Sequence, residues 1–494
     1  MFADIMSGNT GFGALGADEF DQLRKAIDGG YDVGGASQVG GGAWRLEFLE
    51  QTLAILTQQQ RHIVFYTDLP KPPATSTAIE YARRTGLGDM QGGWYSSGEL
   101  PLSHDAEYDR QVALVKFLGD VREIKMPFLL TKTLVDQRAE TTQAGTLYLL
   151  SLLERTLFKG NAKLGVNGAE FEEIDGLETV VQRDAPATNI INLFGAPLEE
   201  GHVRNAGQVV VANYGFGTHV YAPSEICEDY SAAYLKHQFI PTPVAGGGGI
   251  AVGMAVDRIR TVGGDYQLRP LFLYKGLTRE MPKTSAPVQA PAPAPTVAIT
   301  GFTIATGGFW GNSLGLTGLG AGSSGTVEYK VAYANKYGET VAVVPSPASQ
   351  AIAYADRAKK VRLTIVNPAG FTSVPTHLCI YRRDTAGDGT VSFPSGDGVN
   401  FNFGCVARVA LASIAAGASQ TWDDDGGNMP GTYRAWFGEM NQNVLHLSML
   451  LPFTRIPLPA LALAERFALV MFPSFIMRIP NRWVEFRNIG RRTT

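Results

Sequence analysis

The chain has 494 residues, 42 Lys and Arg against 46 Asp and Glu, a formal net charge of −4 and only 18% charged residues. That length exceeds one ordinary core and predicts two or three domains, while the near-neutral balance excludes a strongly basic, sequence-reading nucleic-acid binder. Few charges combined with 57 glycines and 45% hydrophobic residues suit a chain that buries much of its surface in an assembly, and equally a β-rich extracellular protein.

Residues 1 to about 45 are glycine-rich, with one short helix predicted near Glu19–Asp28. So little apolar pattern predicts an arm that neighbours must order. The opening MFADIMSGNTGFGALG lacks the basic and apolar regions of a secretory signal, so assembly in a cytoplasm is expected. Leu46, Leu49, Leu53 and Leu56 mark a helix within Leu46–Gln60. From Arg61 to Pro127 the pattern alternates. Strands are predicted in HIVFYTDL, STAIEYARR and REIKMPFLL, around a turn-rich tip at residues 86–105, GLGDMQGGWYSSGELPLSHD. Such a long hairpin is marginal alone in water and is expected to lie on a neighbouring subunit.

Thr133–Lys159 reads as one long helix, with Val135, Ala139, Thr142, Thr146, Leu150, Leu153 and Leu157 at spacings of three and four. Leu149, Leu152 and Phe158 widen the stripe, so its C-terminal half should pack deeper. Lys159 and Gly160 form a stop signal, the glycine being suited to a left-handed cap. Beyond it, Glu170, Glu172, Glu173 and Asp175 read as a solvated loop rather than paired catalytic carboxylates. Thr188–Phe194 leads to a helix or strand in VRNAGQVVVA, a buried strand near Thr218–Ala222, a helix at Ser224–Leu235, a flexible tip at Gly246–Gly249 and a strand pair in VDRIRTVGGDYQLRPLFLYK.

Pro282–Pro295, PKTSAPVQAPAPAP, is the clearest boundary, and alternating Ala-Pro predicts a semi-rigid spacer. From there to about Gly431 several short strands recur. Val327, Tyr329, Val331 and Tyr333 alternate on one face, and KVRLTIVN, HLCIYRRD, FGCVARVAL and SQTWDDDGG follow. That spacing predicts an immunoglobulin- or fibronectin-like sandwich. The tail returns to the earlier composition, as a mix of helix and strand ending in strands RFALVMF and FIMRIP, so the sandwich reads as a module inserted into a host domain. Its closest approach to a membrane span, Leu458–Met477, is broken by Glu465–Arg466 and Pro473. Arg478–Arg492 holds five arginines and reads as a terminal contact segment.

No catalytic constellation stands out. Gly11-Phe-Gly13-Ala-Leu-Gly16 matches the dinucleotide fingerprint as a string but has no preceding strand, and a flexible arm is the better reading. Gly311-Asn-Ser313-Leu-Gly315 matches a nucleophile elbow but lies in a glycine-rich loop. Asp423–Asp425 and Asp384 with Asp388 offer carboxylates for calcium without the spacing of a known loop. Seven histidines never pair at metal-ligand spacing. Cys379 and Cys405 are placed to meet on neighbouring strands, and with Cys227 they read as buried free thiols of a reducing compartment. This poverty of chemistry favours a structural role.

An N-terminal arm, a long hairpin, a helix ending LLERTLFKGN and the segment EFEEIDGL together resemble the major capsid proteins of tailed bacteriophages of the Hong Kong 97 type. The residues carrying the likeness are Glu154, Phe158, Gly160, Asn161, Phe171, Gly176 and Leu177, and RFALVMFPSFIMRIPNRWVEFRNI is similar to the family's closing strands. It covers roughly residues 15–281 and 432–490 and rests more on the order of elements than on fixed residues.

The resemblance implies an α+β Hong Kong 97-like capsid fold carrying an inserted all-β sandwich. Its parts would be an arm with short helices (1–60), an extended hairpin loop (61–127), a peripheral domain with spine helix and the first part of an axial domain (128–281), an Ala/Pro linker (282–295), the sandwich projecting outwards (296–431) and the remainder of the axial domain (432–494). It implies inter-subunit contacts through Phe12, Phe20, Trp94, Tyr95, Glu99 and Leu100, and a spine helix and turn built on Leu150, Leu153, Phe158, Gly160, Phe171, Gly176 and Leu177. It implies no enzyme, cofactor or metal. The implied partners are copies of the chain in pentamers and hexamers, a portal, scaffolding or cement proteins, and double-stranded DNA held without sequence preference, with no membrane. No motif transfers the lysine–asparagine crosslink of some members. The competing readings are a tail or fibre protein whose sandwich binds carbohydrate, and a secreted glycoside hydrolase.

Overall fold

Asp136 opens the long helix, its carboxylate accepting a hydrogen bond from the Arg138 backbone N–H at 3.0 Å. The helix runs Gln137–Lys159 in this computed structural model, which describes residues 59–88, 94–98, 100, 103–127, 136–166, 171–235, 242–243, 250–251, 258–261, 264–386, 403–459 and 463–492. The chain divides into two units, residues 1–56 and 57–494. All described residues belong to the second.

The buried face of the helix is Gly145, Leu149, Leu153, Leu157 and Phe158. In its N-terminal half this face lies beside the expected one: Ala139 is exposed, Thr142, Thr146 and Leu150 are half-buried, and Val135 lies outside the described residues. Gly145 is the cause. A Cβ there would lie 2.4 Å from Leu469 Cδ1, so the helix rests on a strand through a residue that carries no apolar mark. The C-terminal half is the deeper one, as expected.

Gly160 ends the helix without a left-handed cap, at φ −57° and ψ 141°. Its lack of a side chain serves close approach instead. A Cβ at Gly160 would lie 2.4 Å from the Ile174 carbonyl oxygen, and one at Gly176 would lie 2.6 Å from that of Phe158. The two glycines let the turn fold back on the helix end, where Gly176 N–H donates to Gly160 O at 2.8 Å. A helix at Leu177–Asp184 follows directly.

The long helix packs on a sheet of three strands, to which an outer hairpin and a central sheet are added. The outer hairpin pairs Ala78–Gly86 with Glu107–Leu114. Leu118–Lys125 leaves it to join Ala464–Met477 and Leu445–Leu458 in an antiparallel sheet of three. REIKMPFLL is therefore a strand only up to Lys125 and pairs with the C-terminal hairpin rather than the outer one. HIVFYTDL is not a strand either. It makes helical turns at Gln60–His62 and Phe65–Asp68, fixed by a side chain distant in sequence, Glu154, described below.

The central sheet has six strands in the order Ile190–Asn192, Trp483–Ile489, Tyr433–Gly438, His219–Pro223, Gly264–Leu271 and Arg258–Thr261. Helices Glu200–Ala212 and Ser224–Leu235 pack on it through Val203, Val210, Ile226 and Tyr230. The chain thus leaves this sheet after Leu271 and returns at Tyr433. Among the described residues no helix forms after Trp436 beyond a 3-10 turn at Pro480–Arg482; Ala464–Met477 is one unbroken strand. Gly246–Gly249 lies outside the described residues.

Between those points, Thr296–Ile304, Lys360–Val366 and Ser419–Asp424 form one sheet, and Ser324–Asn335 centres a second with Gly338–Glu339, Ser349–Ala353, His377–Thr385 and Gly404–Ala410. They share one core, in which the alternating Val327, Tyr329, Val331 and Tyr333 are fully buried. The glycine-rich TGGFWGNSLGLTGLG departs from the expected loop. It makes helical turns at Trp310–Ser313 and Leu316–Leu319, and Trp310, Leu314 and Leu316 plug the core, the first two at an i, i+4 apolar spacing hidden among glycines. The Ala/Pro stretch is no free spacer. Gln289 O accepts from Asn335 Nδ2 at 3.2 Å, and Ala292 O from Thr372 N–H at 2.8 Å. Cys379 and Cys405 sit on adjacent strands as buried free thiols.

Candidate assembly surfaces

The turn after the long helix brings most of its sequence-predicted residues into the core. Leu153, Phe158 and Leu177 are buried and Leu150 is half-buried. The Phe158 ring lies 4.7 Å from that of Phe65 and 4.8 Å from that of Trp436. Phe171 is the exception, 62% exposed and at φ 61°, so it marks a surface and not a packing site. The acidic run is solvated only in part: Glu172 is exposed, as expected, but Glu173 and Asp175 are engaged. Glu173 is 7% exposed and accepts from the N–H groups of Asn161 and Val166, both at 2.8 Å. Asp175 accepts from Ala162 N–H and Arg183. These carboxylates hold the turn by satisfying its free backbone donors; Glu170 lies outside the described residues.

Three of the aspartates weighed for calcium are neutralised by arginine, and Asp425 accepts from the Gly427 N–H at 2.8 Å. Arg382 spans Asp384 and Asp424, and Arg362 binds Asp423 at 2.6 Å; Asp388 lies outside the described residues. No group of three His, Cys, Asp or Glu suited to a metal ion occurs among the described residues. The arginine-rich tail is likewise engaged internally: Arg482 pairs with Glu439 at 3.0 Å, Arg487 with Glu485 at 3.1 Å and Arg491 with Asp229 at 2.6 Å.

Two further ion networks tie together elements distant in sequence, the first of them at the helix end. Glu280 lies between Lys159, at 3.2 Å, and Arg408. Burial works to raise its pKa, but those two cations hold it down, at about 2. Arg434, buried in the central sheet, joins Glu178 to Glu485.

The outer hairpin is the reverse of this. Neither of its strands holds a fully buried residue. Trp94 is fully exposed and Leu100 is 92% exposed, with Tyr95 also exposed. Tyr108, Val112 and Leu114 add an exposed apolar row along one strand, at the period of two that places them on one face. Sequence reasoning missed this row because the charges of EYDRQVAL obscured the strand. A two-stranded ribbon with an uncovered apolar face is a surface awaiting a partner. Phe12, Phe20 and Glu99 lie outside the described residues.

Comparison with known proteins extends over nearly the whole chain. It is 24% identical over 485 residues to the major capsid protein of Staphylococcus phage K, covering 96% of each chain. It is also 24% identical over 480 residues to the putative major capsid protein of Enterococcus phage phiEF24C, covering 95% of each. The chain is similar, end to end, to phage major capsid proteins. No protein-family profile matches it. Among solved structures, the capsid of an empty GTA particle aligns with a TM-score of 0.43 and 8% identity, covering 92% of this chain and 98% of that chain. The capsid of the cyanophage P-SCSP1u aligns with 0.42 and 8%, covering 91% and 94%.

Glu154 connects the hairpin's root to the long helix. Its carboxylate accepts from the backbone N–H groups of Val64 at 3.2 Å, Phe65 at 2.8 Å and Tyr66 at 2.7 Å, capping the turn Phe65–Asp68 from another element. Burial raises its pKa to about 7, with the three N–H groups opposing and Asp68 adding to the rise. An acid whose pKa is higher folded than unfolded stabilises the fold at low pH, and that contribution is lost as pH rises through the folded value. Relative to Glu154→Gln, the native chain is expected to lose about 3 kcal/mol of stability between about pH 4 and pH 8. Urea unfolding at the two pH values measures this, and a pH-independent difference between the two chains would overturn it.

Proposed function

We infer that the chain is the major capsid protein of a bacteriophage, a structural and non-enzymatic subunit whose copies build the icosahedral shell of the virion. The observation that carries this is likeness over 96% of both chains to the capsid protein of Staphylococcus phage K, because so complete an alignment leaves no separate catalytic domain to explain. The long helix, the mixed central sheet and the uncovered hairpin support it as a subunit that completes itself against neighbours.

On this reading the fold is of the Hong Kong 97 kind. Residues 61–127 are the extended loop, 128–281 with 432–494 the peripheral and axial domains, and 296–431 an inserted immunoglobulin-like sandwich that projects from the shell. The contacts are obligate and of the large class, about 2,000–5,000 Å², and close into capsomers of five and six. A portal, scaffolding or cement proteins complete the particle, and a mildly acidic wall holds double-stranded DNA without binding it tightly.

Negative-stain electron microscopy of the purified chain, with mass by light scattering, tests the reading. Closed shells, or rings of five and six, are expected. A monodisperse monomer or a thin trimeric fibre would overturn it and favour the tail-fibre alternative.

A further inference from the structure

Cys379 and Cys405 meet where the inserted sheets dock on the rest of the chain. Cys379 lies on His377–Thr385 and Cys405 on its antiparallel neighbour Gly404–Ala410. Side chains alternate faces along a strand, so Cys379 and Tyr381 share one. Counted without a break from the pair Ile380 and Ala407, Cys405 would fall opposite Arg382 and point to the other face. A register shift between Ile380 and Tyr381 instead sets Cys405 opposite Tyr381, which turns it to the side of Cys379. Both thiols are buried in one cluster with Tyr381, Ala332, Phe403 and Leu277, and they are hydrogen-bonded to each other.

The strand that carries Cys405 is also the one that holds the module in place. Cys405 N–H donates to the Glu280 carbonyl at 2.9 Å, Arg408 pairs with the Glu280 carboxylate, and a Cβ on Gly404 would lie 2.4 Å from the Thr278 carbonyl oxygen. On the other side, the Cys379 thiol donates to Glu339 Oε1 at 3.7 Å, and the Tyr381 hydroxyl donates to Glu339 Oε2 at 2.5 Å. Glu339 and His377 line a groove of about 570 Å³, so the thiols lie one side chain behind an opening wide enough for a small molecule. The Cys405 hydrogen bond and burial hold the Cys379 thiol well above its usual pKa. Because the thiolate is the nucleophile, the pair reacts slowly.

We propose that Cys379 and Cys405 are a modification site, at which a small peroxide forms a disulfide that staples the docked strand to the body of the inserted module. The sulfur of Cys379 attacks one peroxide oxygen and the O–O bond breaks. Glu339 takes the thiol proton and passes it to the departing hydroxide, which leaves as water, and Cys379 becomes a sulfenic acid. The sulfur of Cys405 then attacks that of Cys379, the S–O bond breaks and a second water leaves. The two sulfurs together give up two electrons, and the peroxide accepts them. Only the timing rests on the capsid reading: the chain is made as a dithiol in a reducing cytoplasm and oxidises slowly once the virion reaches an oxidising medium.

The test treats the purified full chain with hydrogen peroxide, alkylates it in denaturant and maps its peptides without reduction. The expected product joins the peptides of Cys379 and Cys405, two hydrogens lighter than their sum, and leaves Cys227 alkylated. The thermal midpoint is expected to rise by about 3 °C or more and to fall back on adding dithiothreitol, while peroxide gives Cys405→Ser no such rise. Both thiols still alkylated after peroxide, either of them joined to Cys227, a rise in Cys405→Ser, or a disulfide with no rise in the unaltered chain would overturn the proposal. If Cys405→Ser does not fold, the mapping and the dithiothreitol reversal on the unaltered chain decide. None of these readouts needs assembly. A chain that oxidises in this way but never assembles would overturn the capsid reading and leave the staple standing, whereas a shell-forming chain whose thiols stay free would overturn the staple alone.

Discussion

Deleting residues 86–105 and closing the hairpin with an Asn-Gly turn is expected to abolish shell formation while the subunit stays folded. The two halves of that result have separate physical causes. The strands Ala78–Gly86 and Glu107–Leu114 contain no fully buried residue, so the core around Phe65, Phe158 and Trp436 keeps its contacts and the thermal midpoint should shift little. The tip, by contrast, presents Trp94, Tyr95 and Leu100 to water. Burying such side chains against a neighbour contributes about 1.5–3 kcal/mol each, and a loss of about 4 kcal/mol per contact is roughly a thousandfold in association constant. A closed shell repeats that loss at every subunit. Circular dichroism with light scattering checks both halves, and shells that form normally from the shortened chain would count heavily against the assembly role of the hairpin.

The largest single-residue effect on stability is expected at Arg382. Its guanidinium is wholly buried and donates to both oxygens of Asp384, at 2.6 and 2.9 Å, to Asp424 at 2.7 Å and to the Asn428 carbonyl at 2.6 Å. It also lies 4.8 Å from the centre of the Trp310 ring. Burial disfavours its charge, but Asp384 and Asp424 keep it protonated; Asp384, also buried, has its pKa raised by desolvation despite that arginine. Arg382→Met leaves two carboxylates in the core with no counter-charge, which costs about 3–5 kcal/mol. Removing the paired acid as well, in Arg382→Met with Asp384→Leu, is expected to recover part of it, because an apolar replacement of a buried pair is often close to neutral. Denaturant unfolding of the three chains decides the matter. A single substitution that costs under about 1 kcal/mol would show that the network is not held out of water.

Much of this architecture was legible in the residues. The 3.6-residue period announced the long helix and the deeper packing of its C-terminal half. The period of two announced the buried row from Val327 to Tyr333, and the change in composition at Pro282 and again near Gly431 marked where the chain leaves and re-enters the central sheet. The turn-rich composition of residues 86–105 announced a hairpin tip, and Trp94, Tyr95 and Leu100 stand exposed there.

The misreadings have a common cause. HIVFYTDL alternates like a strand, yet Phe65 and its neighbours form a helical turn because Glu154, some ninety positions away, supplies the acceptors that turn requires. Gly160 carries the mark of a left-handed cap, but its role is to let the Ile174 carbonyl come close. Glu173, Asp175 and Asp424 read as solvated or metal-binding because a carboxylate's spacing says nothing about which N–H or arginine will face it.

Local sequence by itself determined the periodic elements, the boundaries of composition and the segments too polar or too glycine-rich to hold a core, because each follows from the conformational preference and hydrophobicity of adjacent residues. Only the tertiary structure decided which face of the long helix is buried, and which carboxylates are neutralised and by what. Those outcomes depend on pairings between residues tens to hundreds of positions apart, and the free energy that selects them, burial of apolar area with every buried charge matched, is a property of the packed whole.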